Sequence, residues 1–211
     1  IRMFTVTNNV TLSKIDTVDG KWLSSNPENS RYFSATGYFF AKKLQKDLGI
    51  PIGIISSNWG GTPAESWVSE EKLRTLKDFD KDIDALYKRY ENFQNQPVPL
   101  DKNKGNVKDA NPKGCCLSLP VVLYNAMVNP IINYKIAGVI WYQGESNVPR
   151  AKQYQKLFPL MINDWRNKWG YQFPFYFVQL APFKYPWAWN FFLNANILLF
   201  FFNLIKFLRC L

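Results

Sequence analysis

Two hydrophobic rhythms alternate along this chain. Short apolar runs, rich in β-branched residues, stand at Ile1–Thr7, Ile52–Ile55, Ile136–Trp141 and Phe175–Leu180. Between them, apolar residues recur at helical spacing. Tyr38, Ala41, Leu44 and Leu48 share one face of a helix expected over Ala35–Leu48, with Ser34 as N-cap, Gly49 as the stop and Pro51 preventing continuation. Phe79, Ile83, Leu86, Tyr90 and Phe93 mark a helical stretch within Ser69–Gln94. Tyr154, Leu157, Phe158, Met161, Ile162, Trp165 and Trp169 stripe a third helix over Arg150–Trp169, entered through Pro149 and closed by Gly170. Strands near residues 52–56, 137–143 and 175–180, separated by helices, predict right-handed crossovers and a parallel sheet, hence an α/β protein.

The polar positions then locate the chemistry. In an open parallel sheet, ligands sit outside the carboxyl ends of the strands. Two loops reach that edge. Asn58-Trp59-Gly60-Gly61-Thr62-Pro63-Ala64-Glu65 follows one strand, and Gln143-Gly144-Glu145-Ser146-Asn147 follows another. Thr62, Pro63 and Glu65 fit the N-cap, N1 proline and N3 glutamate of a capping box, which sets Gly60 and Gly61 just ahead of a helix start. Free N–H groups there favour an anionic oxygen; the same glycines also suit a tight strand-to-helix turn and nothing more. Backbone N–H groups together with the Gln143 side-chain amide are the parts from which an oxyanion site is built. Ser146 is read as a helix cap or loop brace rather than a nucleophile, because Gly144-Glu145-Ser146-Asn147-Val148 lacks the final glycine of a nucleophile elbow.

Composition narrows this further. The 211 residues contain no histidine, so neither a complete Ser-His-Asp site nor a histidine-based zinc site is assembled from them alone. Cys115 and Cys116 are adjacent and Cys210 is remote, which gives no legible disulfide or metal framework. No cofactor or metal is expected. The net charge of +10 raises nucleic acid as a partner, but Lys72, Arg74, Lys77 and Lys81 are interleaved with Glu70, Glu71, Asp78, Asp80 and Asp82, the pattern of a solvated mixed face. With 47% hydrophobic residues, the chain has enough apolar material for one ordinary core.

Ser57-Asn58-Trp59-Gly60-Gly61-Thr62-Pro63-Ala64-Glu65-Ser66-Trp67, Leu123-Tyr124-Asn125-Ala126-Met127, Gly138-Val139-Ile140-Trp141-Tyr142-Gln143-Gly144-Glu145-Ser146-Asn147 and Val178-Gln179-Leu180-Ala181-Pro182 together resemble the sialate O-acetylesterase family. The resemblance runs from Ile1 to about Tyr185. It implies an SGNH-type hydrolase with a three-layer α/β/α, flavodoxin-like sandwich, which removes acetyl groups from acetylated sugars through a serine acyl-enzyme; xylan acetylesterases are a similar substrate alternative. It assigns Gly60 and Gly61 a backbone oxyanion role and Gln143 an amide oxyanion role, with Glu145 bracing the loop and Gly144, Ser146 and Asn147 supporting it. It further implies an acetylated carbohydrate as partner and a secreted, periplasmic or lysosomal setting.

The departures from that pattern shape the remaining expectations. The family's Gly-Gln-Ser-Asn-Met nucleophile block and its Asp-x-x-His block have no counterpart in these residues. The chain is therefore read as an esterase domain over residues 1–186, incomplete at both ends, that holds the oxyanion side without the reacting side and is inactive and aggregation-prone in isolation. A non-catalytic carbohydrate-binding remnant is the alternative function. Residues 187–211 form an apolar tail foreign to the pattern: a truncation or frame artefact, a core helix or a membrane anchor. Asn190, Asn194, Asn196, Asn203 and Lys206 weigh against the anchor.

Overall fold

The computed structural model describes residues 1–94 and 118–180. The expected loop Gln96–Gly114, the Phe93 side chain, all three cysteines and the apolar tail lie outside the described residues. Strand β1 (Arg2–Thr5) pairs in parallel with β3 (Gly53–Ser56) across helix α1 (Ala35–Leu48). Strand β4 (Val139–Trp141) pairs in parallel with β5 (Phe175–Phe177) across helix α4 (Ala151–Trp169). Both parallel strand–helix–strand units were legible in the sequence; β1, β4 and β5 are shorter than their apolar runs, and β3 is displaced from its run by one residue.

The single parallel sheet expected from the sequence is not what the described residues form. They make two small sheets: one in which β1 lies between β3 and a short strand, Trp22–Ser24, and one pairing β4 with β5. Strand β2 (Trp22–Ser24) is antiparallel to β1 and was missed. It is three residues long and flanked by turn residues, too short to show alternation. The chain reaches it through a return held by the Thr7 N–H donating to the Asp19 carbonyl (3.0 Å).

Helix α1 ends as expected: Ser34 Oγ accepts the Gly37 N–H, and Gly49 takes the left-handed conformation at φ +69°. Gly37 faces Ile54 and Met3, where an added Cβ would stand in ordinary contact at 3.4 Å from Ile54 Cγ2 and 3.5 Å from Met3 Cε, so α1 rests directly on the β1–β3 pair. The long helix expected over Ser69–Gln94 is broken in two. Helix α2 (Glu70–Leu73) runs into a 3-10 turn, Lys77 adopts φ +64°, and helix α3 (Asp80–Gln94) follows. The break turns the chain so that Phe79, Ile83 and Leu86 all reach the core. The mixed-charge face is laced with ion pairs: Arg74 contacts Glu70, Asp80 and Asp84. No helix among the described residues is long and apolar enough to cross a membrane.

Trp141 on β4 centres the aromatic core, edge-on to Trp67 (6.3 Å) and Trp165 (5.8 Å) and tilted against Phe158 and Phe175. Helix α4 is locked onto this cluster by two polar anchors. The Trp165 indole donates to the Trp67 carbonyl (2.9 Å), and buried Asp164 accepts from both the backbone and the hydroxyl of Ser69, each at 2.8 Å.

At the surface, Glu71 bridges Lys14 and Lys168. Burial pushes its carboxyl up, but hydrogen bonds from Lys168, its own backbone and Lys14 outweigh that and hold it at about 2. A carboxylate lowered on folding contributes stability above its ordinary range, and that stability is lost as pH falls from about 4.5 toward 2. Glu71 is half in water, so screening leaves on the order of 1 kcal/mol. Glu71→Gln is expected to have a lower urea midpoint than the parent at pH 6, with the gap narrowing steadily as pH falls from about 4.5 toward 2; a gap constant across that range would refute the assignment.

Candidate active site

The loops after β3 and β4 meet. Gln143, two residues beyond β4, directs its amide at the carbonyl of Thr62, the residue after Gly61 (Nε2 to O, 3.1 Å). The same nitrogen donates to Asn147 Oδ1 (2.7 Å), and Gln143 Oε1 accepts from the Tyr154 hydroxyl on α4 (3.3 Å). Burial pushes the Tyr154 phenol up to about 12, with the Trp141 indole beside it opposing the shift, so at neutral pH it remains a proton donor. The orientation of the Gln143 amide follows from its surroundings. Thr62 O only accepts, so the nitrogen must face it.

Asn147 is the knot between the two loops. It is buried, its Oδ1 also accepts the Ala64 N–H (2.9 Å), and its Nδ2 donates to Glu65 Oε2 (2.8 Å). Glu65, only 3% exposed, uses its other oxygen to accept from Arg150. Both oxygens of this buried carboxylate are thereby satisfied, the condition under which such a charge is tolerated. The chain Arg150–Glu65–Asn147–Gln143–Tyr154 runs from the entry of α4 to its first turn and pins both loops at the carboxyl rim of their strands.

Gly60 and Gly61 are exposed, Gly61 at φ +77°, with nothing within 4 Å of where a Cβ would stand on either. Among the described residues their N–H groups are not engaged. Gly144 is buried at φ +151°, and a Cβ there would press to 2.9 Å from Leu180. The Leu180 side chain could yield, but the backbone conformation favours glycine at this turn beside Gln143.

Three sequence expectations need correction. Thr62-Pro63-Ala64-Glu65 is not a capping box: Pro63 precedes a four-residue 3-10 helix (Ala64–Trp67), and Thr62 Oγ1 donates to the Trp59 carbonyl while accepting from the Trp67 indole. Glu65 points away from the cap into its pair with Arg150, because burial demands a cation more than the loop demands a cap. The exposed Glu145 side chain hydrogen-bonds none of the described residues; the carboxylate tied to this loop is Glu65, through Asn147 Nδ2. Ser146 caps no helix; it lies inside the 3-10 turn Glu145–Arg150, and α4 begins only at Ala151. Glu65, Arg150 and Tyr154 were missed as site residues. A glutamate within Pro-Ala-Glu-Ser-Trp, enclosed by apolar neighbours, was the available signal.

Residues 118–197 match the family model described as carbohydrate esterase, sialic acid-specific acetylesterase. The sialate O-acetylesterase of Homo sapiens is 34% identical over 184 residues, covering 81% of this chain and 30% of that protein. The sialate O-acetylesterase of Mus musculus is 34% identical over 172 residues, covering 74% of this chain and 30% of its own length. The chain belongs to the sialate O-acetylesterase family. A carbohydrate acetylesterase from Xanthomonas citri shares the fold at a TM-score of 0.63 and 33% identity, over 85% of this chain and 33% of that one. The family is one of carboxylic ester hydrolases, and the chain spans about 30% of the length of the curated relatives it matches.

Proposed function

We propose that this chain supplies the oxyanion side of a carbohydrate O-acetylesterase. The observation that carries the reading is the hydrogen bond from Gln143 Nε2 to Thr62 O, which brings a side-chain amide against the turn bearing Gly60 and Gly61. In deacetylation a serine oxygen attacks the acetyl carbonyl and the carbonyl oxygen gains negative charge; the bond to the sugar oxygen then breaks, the sugar leaves as its hydroxyl, and water releases acetate from the acyl-enzyme. Preorganised donors aimed at that oxygen lower the barrier. The N–H groups of the exposed residues Gly60 and Gly61 are one source. The second is the Gln143 hydrogen now shared with Thr62 O at 3.1 Å, the longer of its two bonds and the one an anion displaces. The shorter bond to Asn147 and the Tyr154 bond to Oε1 hold the amide in plane during that exchange. The two parallel pairs are read as parts of one α/β/α sandwich, a reading supported by the convergence of their loops on one rim.

These 211 residues hold no histidine, so the general base is assigned to none of them. The protein expressed from its complete gene is expected to release acetate from O-acetylated sialic acid, with turnover abolished by a serine-directed phosphonate. A polypeptide of these 211 residues alone is expected to show no phosphonate-sensitive turnover. Release from acetylated xylo-oligosaccharides instead would move the substrate class. Saturable sugar binding without acetate release from either substrate would replace the esterase by a carbohydrate-binding role.

A further inference from the structure

We infer that Glu65 is a positioning residue, acting on the reacting carbonyl only through Asn147 and Gln143; the inference rests on the oxyanion reading of Gln143. The Asn147 side chain has just one orientation compatible with its neighbours. Its oxygen must meet the Ala64 N–H and its nitrogen must meet an acceptor, which Glu65 Oε2 provides at 2.8 Å. Once fixed, Asn147 presents Oδ1 to Gln143 Nε2 at 2.7 Å and thereby decides which way the amide's remaining hydrogen points. Arg150 holds the carboxylate from the other side, on a side chain that stays 40% exposed while that of Glu65 is 4% exposed. The carboxylate is thus the fixed end of a relay whose free end is the amide beside Gly61. The acid that sets the loop comes from the first loop, not from Glu145 of the second.

The relay is tested in the protein expressed from its complete gene, with p-nitrophenyl acetate as substrate. Glu65→Ala leaves the Asn147 amide without its acceptor and frees it to rotate. A misplacement of about 1 Å costs on the order of 10²-fold in rate, so kcat is expected to fall on the order of 10-fold to 10²-fold while KM stays within about 3-fold. Glu65→Gln keeps an acceptor for Asn147 and is expected to recover about 10-fold of that loss. In the Glu65→Ala/Gln143→Ala double variant, kcat is expected to equal that of Gln143→Ala alone, because the relay has no other outlet. Arg150→Lys, at an exposed site, keeps a cation beside the buried carboxylate while loosening its hold, repeats the cycle with a smaller expected fall, and keeps the test open should Glu65→Ala not fold. Losses that multiply in either double variant overturn the relay, as does a folded Glu65→Ala protein with unchanged kcat. An unimpaired Gln143→Ala protein sinks the oxyanion reading itself and the relay with it, a result distinguishable because the single Gln143 variant alone reveals it.

Discussion

Asp164→Ala is expected to destabilise the protein by about 3–5 kcal/mol, a loss at the upper end for one polar substitution. The carboxylate is 2% exposed, and its two oxygens serve a single residue, accepting the Ser69 N–H and the Ser69 hydroxyl at 2.8 Å each. Alanine removes both acceptors and leaves two donors buried, each costing about 1–3 kcal/mol, with a cavity besides. Ser69 starts α2 and Asp164 lies well inside α4, so the bond pair is also what registers one helix against the other. Asp164→Asn separates hydrogen bonding from charge. Its oxygen accepts the Ser69 N–H, and its NH2 finds the hydroxyl oxygen as acceptor, so the expected cost is about 1 kcal/mol. Burial raises the Asp164 carboxyl, and the Ser69 bonds oppose that without cancelling it. A folded acid raised above its unfolded value costs stability as pH climbs through that interval, and Asp164→Asn is expected to flatten the slope there. Urea midpoints of parent and both variants at pH 7 decide the matter: equal losses for alanine and asparagine would show that the Ser69 bonds are not the reason.

The sequence carried the strand–helix–strand logic because that logic is local. The Ser34 cap and Gly49 stop bound α1 as read, and the Trp165–Trp169 stripe placed α4 to within one residue. What it concealed depends on contacts between distant segments. The kink at Lys77 is decided by Phe79 and Leu73 both seeking the core, which a helical period running through Ser69–Gln94 cannot display. The stretch Tyr124–Val128, apolar but for Asn125 in the sequence, forms a wholly buried π-helix whose Asn125 reaches back to the Leu12 carbonyl. Glu65 is the sharpest case. Its spacing from Thr62 satisfies a capping box, and only the arrival of Arg150 and Asn147 from a far loop turns the same side chain into a buried ion-pair partner. The residues named from sequence stand on two loops that meet in the fold, and loops at strand ends are legible. Which side chain supports which is not, because that is settled by burial.

Gln143→Glu is expected to lower kcat by more than Gln143→Ala does, although it preserves the shape of the side chain. In the parent, the amide nitrogen faces the Thr62 carbonyl and Asn147 Oδ1, two acceptors, with the glycine turn alongside. A carboxylate offers neither of them a hydrogen. It also sets a second negative charge beside the oxygen on which charge develops during attack, in a partly buried place where screening is weak. Removing a single oxyanion donor costs about 10²–10³ in kcat; alanine is expected to fall in that range, and glutamate at or beyond its upper end. KM for p-nitrophenyl acetate is expected to move little in either variant, because the lost contact is made mainly to the transition state. A space-filling role for Gln143 predicts the reverse order, since glutamate would fill the site and alanine would not. The ranking of the two variants therefore separates a donor from a filler, and a Gln143→Glu protein as active as the parent would remove Gln143 from the oxyanion side altogether.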